Sequence, residues 1–193
     1  MDDSFALLST DRLLLRRPAE ADLDALFAVH ADPVSNRFHP SGAMRSREQA
    51  QALLQTWIAH WRSAGFGYWA IALREQPEQL LGFGGLMNQA IDERQSLSLY
   101  FRFHPQAWGQ GYASEMALAA LERAFTRLRA GAVLAVVQPA NVPSRKTLER
   151  IGMRLKGAWA DEPAQAPSLI YEMSAAHWAE LPQQKPQVTP FGA

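Results

Sequence analysis

The chain has 193 residues, 48% hydrophobic and 20% charged, which suits one well-cored domain and is short for two. Its 19 Lys+Arg cancel 19 Asp+Glu, so no broad positive field exists to hold nucleic acid or anionic lipid. Zero cysteines exclude disulfides, thiolate zinc sites and cysteine nucleophiles, while the acidic start Met1-Asp2-Asp3 and the lack of any apolar run near ~20 residues suggest neither export nor membrane insertion; a reducing cytoplasm fits.

Leu13-Leu14-Leu15-Arg16-Arg17, ended by Pro18, reads as a strand entering a turn. From Glu20 to His30, Leu23, Leu26 and Phe27 recur at helical spacing, with Asp22 and Asp24 near the positive end of the helix dipole. Ser46 and Gln49 resemble a capping box, and Ala50, Leu53, Leu54, Trp57, Ile58 and Trp61 then form one apolar stripe before Gly65. After Gly67 the period changes to strands, Tyr68 to Leu73, Leu80 to Met87 and Leu97 to Phe103, in the order of a meander.

A loop, Trp108-Gly109-Gln110-Gly111, then feeds an amphipathic helix from Tyr112 toward Leu128. The continuous apolar run Ala132 to Val137 predicts a strand buried on both faces, and Val142 to Ile151 a short helix stopped by Gly152. Arg154 to Trp159 and Leu169 to Ser174 read as two further strands. Residues 182–193 hold three prolines and few apolar groups, so residues 1–181 are expected to form the domain and 182–193 a mobile tail. The order of elements implies a mixed sheet flanked by helices.

The most informative stretch is Gln106 to Ser114, which joins a predicted strand to a predicted helix. Gly109 and Gly111 permit turn angles that aim successive amides inward, and the first amides of the helix add positive dipole. Such a nest holds a diphosphate without Lys or Arg. An ordinary glycine turn is the equal alternative for this pair taken alone. A P-loop is excluded because Tyr112 and Ala113 stand where Lys and Ser or Thr belong. A dinucleotide fingerprint is excluded because the loop lies past mid-chain and lacks the third glycine.

The run Phe103-His104-Pro105-Gln106-Ala107-Trp108-Gly109-Gln110-Gly111-Tyr112-Ala113-Ser114-Glu115, with its Q-x-x-G-x-G core, resembles the acyl-CoA loop of the GNAT N-acetyltransferase superfamily, in its RimJ/RimL-like branch. Thr10 to Arg16 is similar to that group's opening strand, and Asn141-Val142-Pro143-Ser144 through Gly152-Met153 to its late helix. The resemblance spans about Leu8 to Trp178. It implies an α/β (mixed α+β) GNAT fold, with a central mixed and splayed β-sheet flanked by about four helices.

The resemblance also implies site residues. Phe101, Arg102 and Phe103 would pair with the pantetheine arm of acetyl-CoA, and Gly109, Gln110, Gly111, Tyr112, Ala113 and Ser114 would take its diphosphate. Asn141 matches a cofactor-binding position and is also a good helix cap. Phe101 and Phe103 serve core packing as well. No metal is implied.

Acyl transfer from a thioester to an amine needs a deprotonated amine, a stabilised oxyanion and protonation of the leaving thiolate. Many members use a late-helix Tyr as that acid, but Leu148 stands there, so Ser144 becomes the candidate; its alternative is a local helix hydrogen bond. The oxyanion donor is expected from a backbone N–H near Phe103. A family Glu often stands where Ser98 is found, which leaves the base among Glu115, Glu172, Asp161, Glu162, a water chain, or His30, His39 and His104. Trp57, Trp61 and Trp69 either shape an acceptor pocket or belong to the core.

The expected acceptor is a protein or peptide N-terminal amine. A small-molecule amine is the enzymatic rival, which an acidic lining would favour if polycationic, and a non-catalytic acyl-CoA sensor is the rival from another class. Nucleic acid and membrane are not expected partners, and a homodimer is left open.

Overall fold

The computed structural model describes residues 5–91, 94–160, 167–182 and 189–190. Its strands are β1 (Leu7–Ser9), β2 (Leu13–Arg16), β3 (Tyr68–Leu73), β4 (Gln76–Ile91), β5 (Arg94–Phe103), β6 (Ala132–Val137), β7 (Arg154–Trp159), β8 (Ser168–Ser174) and β9 (Thr189–Pro190). The helices are α1 (Leu23–Ala31), α2 (Arg47–Ala64), α3 (Tyr112–Thr126), α4 (Val142–Arg150) and α5 (Ala175–Glu180). One sheet takes all the strands in the order β7-β8-β6-β5-β4-β3-β2-β1-β9.

Every neighbouring pair is antiparallel except β5 and β6, which run parallel and meet at a single register pair, Ser98↔Leu134. The cause is divided loyalty. β5 keeps its ladder with β4 as far as Gly82↔Phe103, whereas β6 pairs along its whole length with β8. Beyond Ser98 the two strands diverge, and the sheet is open there.

Two cores fill its faces. Leu13, Leu15, Leu99 and Phe103 pack against Met116, Ala120, Leu121 and Ala124 of α3, whose small residues let the helix lie close to the sheet. On the other face Leu26, Leu54 and Trp57 of α1 and α2 cover Tyr68, Ala70 and Phe83.

Several expectations shift. Glu20–Asp22 is a 3-10 turn before α1, because the Asp22 carboxylate takes Arg16 through bonds of 2.7 and 2.6 Å and also caps the Ala19 amide. Ser46 does cap α2, its hydroxyl accepting from the Gln49 amide at 3.4 Å, but the Gln49 side chain accepts from Arg45 rather than completing a box. β6 buries one face only, since Ala132, Leu134 and Val136 stay partly open. The fifth helix, α5, starts at Ser174, whose hydroxyl accepts from the His177 amide.

Of the expected mobile tail, residues 183–188 and 191–193 lie outside the described residues, and Thr189–Pro190 pairs with β1. Among the described residues no helix is long and apolar enough to cross a membrane.

Candidate active site

The divergence of β5 from β6 opens a cleft of about 890 Å3. The His104 amide donates to Leu81 at 2.8 Å, which fixes the phase of the β4–β5 ladder. Alternation then turns the peptide groups of Tyr100 and Arg102 toward β4 and those of Phe101 and Phe103 into the opening. Trp108 Nε1 donates to the Phe103 carbonyl there at 2.9 Å. Arg102 is therefore at the cleft through its side chain and not through its main chain.

At the mouth lie Gly109 and Gly111, with φ of 77° and 81°, in the left-handed region that the amide nest requires. Gly111 caps α3, so the Tyr112, Ala113 and Ser114 amides fall in its first turn. Ser114 Oγ is buried and has no hydrogen-bond partner among the described residues. Orphan amides, a positive helix end and an unpartnered hydroxyl fit a diphosphate.

This loop is held by a group that sequence reasoning missed. Arg12 donates through Nε to Glu115 at 2.7 Å and through a terminal nitrogen to the Gln110 carbonyl at 2.9 Å, and its guanidinium lies 4.7 Å from the Tyr112 ring centre. Thr10 Oγ1 donates to the same carboxylate at 2.6 Å. Glu115 is thus committed to bracing the loop. Residues 103 apart in sequence carry no local periodicity, so nothing in the chain announced the pair.

The facing wall is α4. Asn141 Oδ1 accepts from the Ser144 amide at 3.3 Å, so the cap is present, and Asn141 and Ser144 both border the cleft. No hydrogen bond among the described residues engages Ser144 Oγ, against the local-bond alternative. Leu148, one turn on, is buried and apolar and also lines the cleft. Tyr171 does not replace the missing phenol, because its hydroxyl donates to Glu149 at 2.7 Å.

The inner half is aromatic. Ring centres of Tyr68 and Tyr100 lie 4.8 Å apart, and Trp57 stands 5.3 Å from Tyr68 and 6.2 Å from Tyr100. Trp61 and Trp69 belong to the core, their indole N–H groups donating to Tyr68 and Phe5 carbonyls. Burial pushes both the Tyr68 and Tyr100 hydroxyls up, so they stay neutral.

His30 bonds Leu26 O through Nδ1 and the Tyr100 hydroxyl through Nε2, both at 2.9 Å. A carbonyl only accepts, so Nδ1 carries the proton and Tyr100 donates to Nε2. Desolvation, with repulsion from Arg102, lowers His30 to about 4. A histidine depressed when folded binds fewer protons than when unfolded, so stability is expected to fall between about pH 6.5 and about pH 4. His30→Gln should flatten that limb in urea titrations at each pH; an unchanged slope would contradict the assignment.

The other candidate bases disperse. Glu172 of β8 is paired with Lys156 of β7, Ser98 is buried where β5 and β6 meet, and His104 caps the turn after β5. Asp161 and Glu162 lie outside the described residues. His39 borders the cleft, lowered by desolvation and then by Arg102. Among the described residues no Asp or Glu lines the cleft, and no group of His, Asp and Glu is placed to hold a metal ion.

Comparison with known proteins agrees with this geometry. Residues 12–154 match the family model described as an acetyltransferase (GNAT) domain. The chain is 30% identical over 153 residues to the uncharacterized N-acetyltransferase YoaA of Bacillus subtilis (strain 168), covering 79% of this chain and 85% of that protein. An acetyltransferase structure from Agrobacterium tumefaciens superposes with a TM-score of 0.74 at 27% identity, over 88% of this chain and 94% of that one. The fold is shared with the ribosomal-protein-S5-alanine acetyltransferase of Vibrio fischeri, TM-score 0.71 at 12% identity, over 90% and 98% of the two chains. A splayed sheet, an amide-lined loop opening a helix, and a family match across most of the chain have one reading: the protein is an acetyltransferase enzyme and belongs to the GNAT family.

Proposed function

We propose that the protein transfers an acetyl group from acetyl-CoA to a primary amine that enters the aromatic half of the cleft. The observation that carries this reading is the opening between β5 and β6, with its mouth at Gly109–Ser114. The Tyr112, Ala113 and Ser114 amides and Ser114 Oγ would hold the diphosphate, the outward peptide groups of Phe101 and Phe103 the pantetheine amides, and Asn141 the facing side. When bound, acetyl-CoA supplies the acetyl group as a thioester. A backbone N–H near Phe103 that the pantetheine arm does not engage would donate to the oxyanion, and Ser144 Oγ would hold the proton for the departing thiolate.

With no carboxylate on the described lining and His30 lowered to about 4, no strong base stands by the amine among the described residues. The amine therefore reacts as its neutral form, its proton passing to water, which returns a proton to Ser144 as the thiolate takes that of the hydroxyl. A lining without acids among the described residues also disfavours a polycationic acceptor. A peptide N-terminal amine, the acceptor implied by the RimJ/RimL resemblance, and a small amine both fit this aromatic chamber. Balanced charge and zero cysteines support a cytoplasmic setting.

Acetyl-CoA at a hundredfold over its Kd is expected to stabilise the fold by ~2.7 kcal/mol in a thermal shift run with a chelator. Time-dependent release of CoA thiol with an amine panel then separates an enzyme from a sensor. No shift at millimolar acetyl-CoA would remove the reading at its base.

A further inference from the structure

Beside Tyr100 the inner chamber holds a cation, Arg102, with no counter-ion among the described residues. Arg102 lies two residues along β5 from Tyr100, on the same face, with its guanidinium carbon 5.6 Å from the Tyr100 ring centre. Its side chain donates to Asn36 Oδ1, and no carboxylate pairs with it among the described residues. Asn36 is 2% exposed, and its Nδ2 is fixed by the Val29 and Asp32 carbonyls at 3.0 and 2.7 Å, so its oxygen is aimed at Arg102. The guanidinium is held in place by one neutral bond and keeps donors for something else.

Tyr100 gives its proton to His30, so its oxygen keeps acceptor capacity at the chamber that the residue lines. An N–H acceptor and a bidentate anion donor thus stand side by side, walled by Trp57 and Tyr68. Leu53 and Met44 complete the apolar side.

We infer that the acceptor is a primary amine bearing a carboxylate a few bonds from its nitrogen, with the amine on Tyr100 Oη, the carboxylate on Arg102 and an apolar body between the rings. This rests on the acetyl-transfer reading and narrows it. The field agrees, since Arg102 lowers both His30 and His39 and so already repels cations. The carboxylate has two sources, the α-carboxylate of a free amino acid or the side chain of an acidic first residue in a peptide.

The test compares L-phenylalanine with L-phenylalaninamide, and an Asp-led with an Ala-led peptide, in CoA-thiol release and in calorimetry with and without CoA. A charged hydrogen bond predicts a preference of about 10- to 100-fold for the carboxylate-bearing member of one pair, and which pair shows it identifies the source. Arg102→Gln should reduce that ratio to about unity and Arg102→Lys should keep part of it. A ratio within one variant does not depend on its folded fraction. Equal binding and rates within both pairs, or a ratio intact in Arg102→Gln, would overturn the inference while leaving acetyl transfer standing. Failure of acetyl-CoA to bind would overturn the parent reading, and the cofactor-free calorimetry still decides the Arg102 site.

Discussion

Ser144→Ala is expected to lower kcat by ~10²- to 10⁴-fold, the usual worth of a positioned general acid, and to leave acetyl-CoA affinity nearly unchanged. Its hydroxyl borders the cleft with no hydrogen bond to a described residue, so removing it breaks no structural contact. The residue one turn later on the same face is Leu148, which has no proton to give. The Tm should therefore hold while turnover falls. Asn141→Ala is the control with the opposite pattern. It removes the α4 cap, worth about 1 kcal/mol of stability, and weakens acetyl-CoA binding before it affects kcat. Wild-type turnover in Ser144→Ala would leave thiolate protonation to water and strike Ser144 from the mechanism.

Local patterns in the chain foretold local structure. Tyr68 to Leu73 and Arg154 to Trp159 fold as strands with the bounds their apolar patterns suggest, and the glycines before Tyr112 do open α3. What failed to show was anything set by pairing across distance. β6 reads as buried on both faces because its six residues are all apolar, yet its neighbour β5 leaves it after one register pair. That divergence creates the cleft, and no residue of either strand encodes it alone. The site partners are equally remote: Arg12 reaches Glu115 across 103 positions, and His30 reaches Tyr100 across 70.

Arg102 was singled out for its main chain, as one of three residues on a splayed strand. Strand alternation sends Arg102's peptide groups to β4 and leaves those of Phe101 and Phe103 facing the opening. A two-residue period is visible in sequence, but its phase is not. The His104–Leu81 hydrogen bond and the Trp108 bond to the Phe103 carbonyl settle which set faces the opening.

Gly111→Val is expected to weaken acetyl-CoA binding by about 10- to 100-fold, the cost of misplacing one or more amide bonds to a charged group. The backbone is the reason, because there is room for a side chain. A Cβ on Gly111 would meet only Arg12 at 3.6 Å, an ordinary contact, and one on Gly109 would meet nothing within 4 Å. Both residues nevertheless sit at positive φ, 77° and 81°, where a non-glycine residue costs ~1–3 kcal/mol and a β-branched one resists most. Valine would relieve that strain by rotating the peptide that caps α3, turning the first-turn amides away from the diphosphate. Gly109→Ala carries the φ cost without β-branching and lies farther from the helix, so its effect on affinity should be smaller. Calorimetry for affinity and thermal unfolding for stability separate the two contributions. Wild-type affinity in both variants would mean that the loop is only a turn and that the diphosphate binds elsewhere.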